Sequence, residues 1–398
     1  MADDCECGDS VDNMIDVENT SYVRYAKRNP LYKRVDAMKK HHLCGEKNII
    51  YIVSNSYNAS IRYRAENMIK TINQLSGYNA YLFEMANMNV VLSNLEFVDM
   101  MIFQRVIYPE IDICSNIIRE KNIPILFDID DFTFDSNCKT FKSSQYYGSA
   151  YEAIICQADM LITTTAFLQD RLRQTFNKKA YHINNFMDAM QYEISMELRK
   201  KRKQLISKHN FMIGYFGSDS HYRDLEMIAP ELASFLERHR DAGLRIVGMH
   251  DIPSLLKRGD FKSQIQILPY MDGYKLMGEF TKLDINLIPL VMDDYSQARS
   301  EIKFFEAAST GVISIASPTQ VYQKISEESR AIILCENSSW LDELEKVYNN
   351  QYDMVNMTKK AIKYVETKYT EHAMIPSMNR FVCDVEETYA EMLCLGNR

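Results

Sequence analysis

Twelve short, unbroken apolar runs, separated by helix-length stretches of polar periodicity, constrain this chain more than any other feature. Six lie in the first half: Asn48–Val53, Ala80–Phe83, Asp99–Phe103, Ile123–Phe127, Asp159–Thr163 and Ala180–Ile183. Six lie in the second: Phe211–Phe216, Leu244–Val247, Ile265–Leu268, Ile285–Ile288, Val312–Ile315 and Ala331–Leu334. Runs this short, with no alternation, are strands buried on both faces, and strands alternating with helices form parallel sheets. The pattern predicts an α/β protein with two Rossmann-like, doubly wound parallel-sheet lobes facing a central cleft. An N-terminal extension covers 1–47, the first lobe 48–195, a charged linker 196–210 and the second lobe 211–370. A helix over 371–398, broken near Pro376, is long enough to cross back to the first lobe.

Length agrees: 398 residues at about 150 per domain give between two and three domains. With 46% hydrophobic residues there is material for two cores. Forty-six Lys and Arg against 54 Asp and Glu leave a net charge of −8, which argues against a nucleic-acid binder. No run reaches the ~18 to 20 apolar residues of a membrane span, and the acidic start MADDCECGDSVD is unlike a signal peptide. The sequence reads as cytoplasmic, with the basic stretch Arg24, Lys27, Arg28, Lys33, Arg34, Lys39 and Lys40 open to peripheral contact with the inner membrane face or a partner protein. Nine scattered cysteines, an odd number, favour reduced thiols. Cys5, Cys7, His41, His42 and Cys44 lack the spacing of a zinc site, so no metal is expected there.

Only 13 glycines are present and none forms a Gly-x-Gly-x-x-Gly cradle, so a phosphate site must be built otherwise. The segment Ala298-Arg-Ser-Glu-Ile-Lys-Phe-Phe-Glu-Ala-Ala-Ser-Thr-Gly311 supplies a means. It follows a strand and a loop, so a helix starting near Ser300, with Ser300 as cap, turns free N–H groups toward the mouth of the sheet, where anions bind. Lys303 adds positive charge for a diphosphate. Glu306, one turn on, offers a carboxylate to two vicinal ribose hydroxyls.

This stretch resembles the donor-site signature of group 1 glycosyltransferases, which have the two-lobed GT-B fold. The resemblance runs from about residue 48 over most of the chain. It is also carried by Arg62-Tyr-Arg64, Ile102-Phe-Gln-Arg105, Phe127-Asp-Ile-Asp-Asp131, Ala158-Asp159 before Thr163-Thr-Thr165, Asn184-Asn185, Ile213-Gly-Tyr-Phe-Gly-Ser218 and Arg223-Asp224. It implies a nucleoside-diphosphate sugar in the second lobe, held by Gly217 and Ser218 through backbone N–H groups, His221, Ser300, Lys303 and Glu306, with Tyr270 beside the base. The acceptor, a glycan, lipid-linked oligosaccharide or protein, falls to the first lobe, where Arg62 and Arg64 sit near strand ends. No cofactor beyond the sugar nucleotide is implied. Two departures stand out: Ala298 occupies the place of a first glutamate common in the family, and the loop after Phe216 offers His221 and Arg223 in place of an Arg and a Lys.

Asp128-x-Asp130-Asp131 supplies carboxylates at the end of a strand. Asp130 or Asp131 is a candidate base for an acceptor hydroxyl, and Arg105 a candidate for stabilising charge; these three are the expected catalytic set. A rival reading places Mn²⁺ on this Asp-x-Asp, but leaves the Ser300, Lys303 and Glu306 helix without purpose. His182 is expected to pack rather than act. Two alternatives share the fold: a sugar-nucleotide 2-epimerase, and a non-catalytic subunit that scaffolds an active partner.

Overall fold

The computed structural model describes residues 30–55, 59–107, 110–134, 144–205, 210–271, 273–336 and 339–396. Arg24, Lys27, Arg28, Cys5 and Cys7 lie outside these residues. The chain divides into two compact units: the first holds the described residues up to Asp188, Ala298–Ser300 and Glu371 onward, and the second holds Ala189–Gln297 and Glu301–Thr370.

The first unit is a six-stranded parallel sheet: β1 (Lys47–Val53), β2 (Tyr78–Glu84), β3 (Met100–Gln104), β4 (Ile125–Ile129), β5 (Met160–Thr163) and β6 (Ala180–His182). Its order is β2-β1-β3-β4-β5-β6. The second is built alike from β7 (Met212–Phe216), β8 (Gly243–Val247), β9 (Ile265–Leu268), β10 (Ile285–Ile288), β11 (Ile313–Ala316) and β12 (Ile333–Leu334), in the order β12-β11-β10-β7-β8-β9. Every apolar run became a strand, and apart from the edge strand β9 the strands are largely removed from water by the helices packed on the sheets. The edge strand β9 is the least covered, with Ile267 about half exposed. In each sheet the order reverses beside the first strand, between β1 and β3 and between β7 and β10. Open sheets of this kind bind ligands beyond the carboxyl ends of the strands at that reversal.

Three boundaries differ from the sequence reading. The charged stretch from 196 is no linker: Ala189–Leu205 is one helix of the second unit. Its sparse stripe, Ile194 and Leu198 four residues apart, packs with Phe216, Met277, Phe280 and Leu283. Its arginines are used on carbonyls, Arg202 Nη2 donating to Leu283 O at 2.7 Å and Arg199 Nη1 to Ser309 O at 3.4 Å. The described part of the basic stretch is likewise in the first unit, as the helix Leu31–Leu43. Met38 is buried, and Arg34 lies inside the fold, donating to Leu82 O and, at 3.2 Å, to Glu84 Oε2. Lys33, Lys39 and Lys40 remain exposed.

The last helix, Glu371–Cys394, runs through Pro376 without a break. Met374, Met378, Phe381, Val382, Val385 and Tyr389 bury one face of it in the cluster that also holds Ile49, Tyr51 and Met68. Packing of Met374 and Met378 on either side holds the helix across the hydrogen bond that proline cannot donate.

Candidate functional site

At the end of β7 the chain turns through Gly217 and Ser218 into a short turn, Asp219–His221, that feeds the helix Tyr222–Arg238. The Gly217 amide does not point to a ligand; it donates to Val247 O at 3.0 Å and extends the sheet. What Gly217 contributes is the absence of a side chain, which lets Lys303 and His221 close against it. A side chain there would put its Cβ 3.2 Å from Lys303 Nζ and 3.3 Å from His221 Cδ2. Gly248, after β8, has φ +92° and comes so close to this turn that a Cβ would lie 3.0 Å from Gly217 O. Only glycine fits both demands.

Lys303 reaches this place from the first turn of the helix Ile302–Ser309, its Nζ 5.5 Å from the centre of the Tyr215 ring. The same tyrosine donates its hydroxyl to His221 O at 2.8 Å. His221 Nδ1 lies 2.8 Å from Asp224 Oδ2, and Asp224 Oδ1 accepts from Val291 N at 3.0 Å, in the loop after β10. Burial pushes the Asp224 carboxyl up, but the hydrogen bond and charge of His221, with the Val291 amide and the Lys303 charge, outweigh it and hold it below the usual carboxylate range. An ionised carboxylate only accepts, so His221 Nδ1 carries the proton.

Ser300 is not the cap of this helix. Glu301 takes that place, its carbonyl accepting from Phe304 N and Phe305 N, while Ser300 groups with the first unit and accepts from Asn185 Nδ2 at 2.9 Å. Glu306 follows Lys303 by three positions and is 5% exposed, with Gln191 Nε2 at 3.5 Å from its Oε1. Ser218 shares a hydroxyl hydrogen bond of 2.9 Å with Ser220. Tyr270, just past β9, is exposed.

The polar edge of the first unit is closed on itself. Arg62 to Glu66 form one π-helical turn after β1, and all five residues are buried. Arg64 does not reach solvent, as a cleft residue would; its exposure is zero. Its guanidinium holds both oxygens of Asp128 at 2.9 to 3.1 Å and donates to Ile183 O at 2.6 Å. Burial pushes Asp128 up to about 6, against the pull of Arg64. Arg62, also buried, stacks 5.2 Å from the Tyr63 ring centre. Of the arginines Arg62, Arg64 and Arg105, the last alone stands partly exposed, at the end of β3, with a left-handed φ of +47°. It donates to Asp130 Oδ1 at 3.1 Å, and Asp130 Oδ2 accepts from Ser60 Oγ at 2.5 Å. Gln104 Nε2 donates in turn to Ser60 Oγ at 2.7 Å. The Asp130 charge raises the Arg105 pKa, against the effect of burial. Asp131 Oδ1 accepts from Phe132 N at 3.2 Å. His182 Nε2 pairs with Thr164 O at 2.9 Å, a packing contact.

Among the described residues, no group of three or more His, Cys, Asp or Glu is placed to hold a metal ion, and no helix is long and apolar enough to cross a membrane. Sequence reasoning overlooked Asp224 as a site residue, although its spacing from His221, three residues across a helix start, was the available signal.

The structure matches solved glycosyltransferases of the GT-B class. HepE of Anabaena, in complex with UDP-glucose, superposes with a TM-score of 0.61 at 11% identity, over 84% of this chain and 99% of that one. A glycosyltransferase from Rickettsia africae gives 0.62 at 12% identity, over 85% and 98%. A protein described as a putative UDP-N-acetylglucosamine 2-epimerase from Listeria monocytogenes gives 0.54 at 10% identity, over 87% and 97%. No protein-family model and no curated protein matches the sequence. The fold is therefore GT-B: two parallel six-stranded α/β units in one chain.

Proposed function

We propose that this protein is a glycosyltransferase whose second unit binds a nucleoside-diphosphate sugar, with uridine the first base to test because HepE is described with UDP-glucose. One observation carries the reading: at the β7/β10 reversal, Lys303 Nζ and the His221 ring converge beside Gly217. A diphosphate placed there meets positive charge and the first turn of the helix Ile302–Ser309. Glu306 then takes the ribose hydroxyls, Ser218 lies beside the phosphates and Tyr270 stacks on the base. Transfer needs no protein nucleophile. Cationic groups stabilise the departing diphosphate, which is where negative charge grows in the transition state.

In the first unit, Arg105, Asp130 and Asp131 stand at the sheet edge toward the β1/β3 reversal and are the groups proposed to meet the acceptor hydroxyl. Ser60 and Arg105 fix the Asp130 carboxylate between them, which orients it. Arg62 and Arg64, being buried, serve as scaffold for this edge.

Thermal unfolding with UDP, GDP, ADP, dTDP and CMP tests the donor site. The matching nucleotide at 100 times its Kd adds about 2.7 kcal/mol of stability, and stabilisation by none of them overturns the reading. The Listeria likeness gives weight to an epimerase as second reading. Incubation with sugar nucleotide alone separates the two, since an epimerase converts the donor without an acceptor and a transferase does not.

A further inference from the structure

The helix Leu31–Leu43 has one face that the fold uses and another that it leaves in water. On the used face, Arg34 donates to Leu82 O and Glu84 Oε2, Met38 is buried, and the Met38 carbonyl accepts from Asn48 Nδ2 at 2.9 Å. These bonds seat the helix against β1 and β2 and so decide which residues point outward. Tyr32 is 64% exposed and Leu43 82%, one near each end of the helix. Lys39 and Leu43 follow Tyr32 by about two and three turns, so the three stand in one line. Lys33 and Lys40, also exposed, follow Tyr32 and Lys39 by one residue and form a second line beside the first. Asp36 is the one acid of the helix, and three exposed lysines against it leave this face at +2.

We propose that this face docks on an anionic lipid bilayer. The proposal stands apart from the donor-site reading, since it uses no residue of that site. Its physical basis is the mixture of side chains on the two lines. Leu43 and the Tyr32 ring have apolar bodies for the boundary between headgroups and acyl chains, and the Tyr32 hydroxyl suits the headgroup level. The lysine stems lie along the same boundary while their ammonium groups reach the lipid phosphates. An acidic protein segment would need the lysines alone and gives no use to Tyr32 and Leu43, and the core of a protein interface is poor in lysine. The chain as a whole carries −8, so an anionic surface repels most of the molecule and attracts it here, which selects this face for the encounter. No described helix is long and apolar enough to cross a membrane, and the contact proposed is with the surface alone.

The experiment is co-sedimentation of the full chain with vesicles, either phosphatidylcholine alone or phosphatidylcholine and phosphatidylglycerol in equal parts, at about 0.1 M salt. The wild type binds the mixed vesicles, leaves the phosphatidylcholine vesicles in solution, and loses its binding as salt rises. A lysine near an anionic surface accounts for about a fivefold gain in partitioning, so Lys33→Gln/Lys39→Gln/Lys40→Gln lowers partitioning at least about tenfold. Tyr32→Ser/Leu43→Ser lowers it at least about threefold and leaves the salt dependence as it was. Lys359→Gln/Lys360→Gln/Lys363→Gln removes the same charge from an exposed face of the helix Met354–Lys368 in the second unit, and changes partitioning less than about twofold.

A wild type that stays in solution with the mixed vesicles overturns the proposal. So does an equal loss in the two lysine variants, which makes the attraction a property of total charge and not of this face. Soluble polyglutamate separates the other occupant: binding to it as tight as to the mixed vesicles, and undiminished in Tyr32→Ser/Leu43→Ser, marks a contact for acidic protein and overturns the lipid surface. Lys39 Nζ lies 5.5 Å from the centre of the Phe97 ring. Should its replacement disturb the fold, as read by circular dichroism, Lys33→Gln/Lys40→Gln leaves that contact in place and must still lower partitioning at least about fivefold; an unchanged value overturns the proposal.

Discussion

The two sheets end in the same way topologically and in opposite ways chemically. At the edge of the first unit, long cationic side chains turn inward and are matched by carboxylates: Arg64 with Asp128, Arg105 with Asp130. At the edge of the second, a lysine and a histidine converge on a glycine that has no side chain to hold them off. Charge density alone does not mark a binding site. The arginine-rich edge looks the more reactive in sequence, yet most of its donors are consumed within the fold. The glycine-bordered edge, poorer in charge, is the one proposed to take a ligand.

The sharpest way to break this contrast is to remove one partner of the buried pair. Arg64→Met leaves the Asp128 carboxyl without its guanidinium partner at zero exposure, and the expected loss is about 3–5 kcal/mol of stability of the first unit, read by urea denaturation. Adding Asp128→Leu restores most of it, because a well-packed apolar pair replaces the ions at similar stability. If Arg64→Met instead leaves the urea midpoint unchanged, the first edge is not the closed scaffold described here.

The second edge responds differently. Gly217→Val pushes Lys303 and His221 out of their places. The nucleotide-dependent stabilisation, about 2.7 kcal/mol at 100 times Kd, is expected to disappear while the ligand-free protein keeps its melting profile apart from a small shift. A variant that still binds nucleotide as tightly as the wild type removes the site from this edge.

Acid titration compares two buried carboxylates, one at each edge. Asp224 is held below its ordinary value, so it contributes stability that is present above about pH 4 and lost as pH falls through the depressed folded value. Asp128, raised to about 6 by burial, has the opposite sign: its contribution is present below about pH 4 and is lost as pH rises through 6. Asp224→Asn is therefore expected to shallow the loss of stability between pH 5 and 3, and urea midpoints across that range check it. The smallest effect belongs to Arg105→Gly. It relieves a left-handed φ while giving up a partly exposed ion pair; the two nearly cancel, to within about 1 kcal/mol, while glycosyl transfer to acceptor is expected to fall.

How far the chain could be read in advance depended on the range of the forces involved. Strands such as Ile285–Ile288 and Ile313–Ala316 were plain because full burial imposes an apolar run that is visible locally. Lys303 and Glu306 were legible as a pair because a helix fixes their spacing. Arg64 was not, since its burial depends on Asp128, 64 positions away, and on the Ile183 carbonyl, 119 positions away. The helix Ala189–Leu205 was misjudged for a similar reason: a stripe of only Ile194 and Leu198 is enough when arginines on the same helix find carbonyls to cap. Ser300 had the chemistry of a cap, but the chain turns into a helix one residue later, at Glu301.

The helix Glu371–Cys394 closes the core of the unit that begins the chain. During synthesis, then, every strand of that unit leaves the ribosome long before the residues that cover Ile49, Tyr51 and Met68. Until they emerge, an oily face of the nascent polypeptide stays open to water and to its neighbours, so this half of the protein cannot mature in the order in which it is translated. A stop codon ahead of Glu371 would therefore cost the beginning of the molecule more than its end.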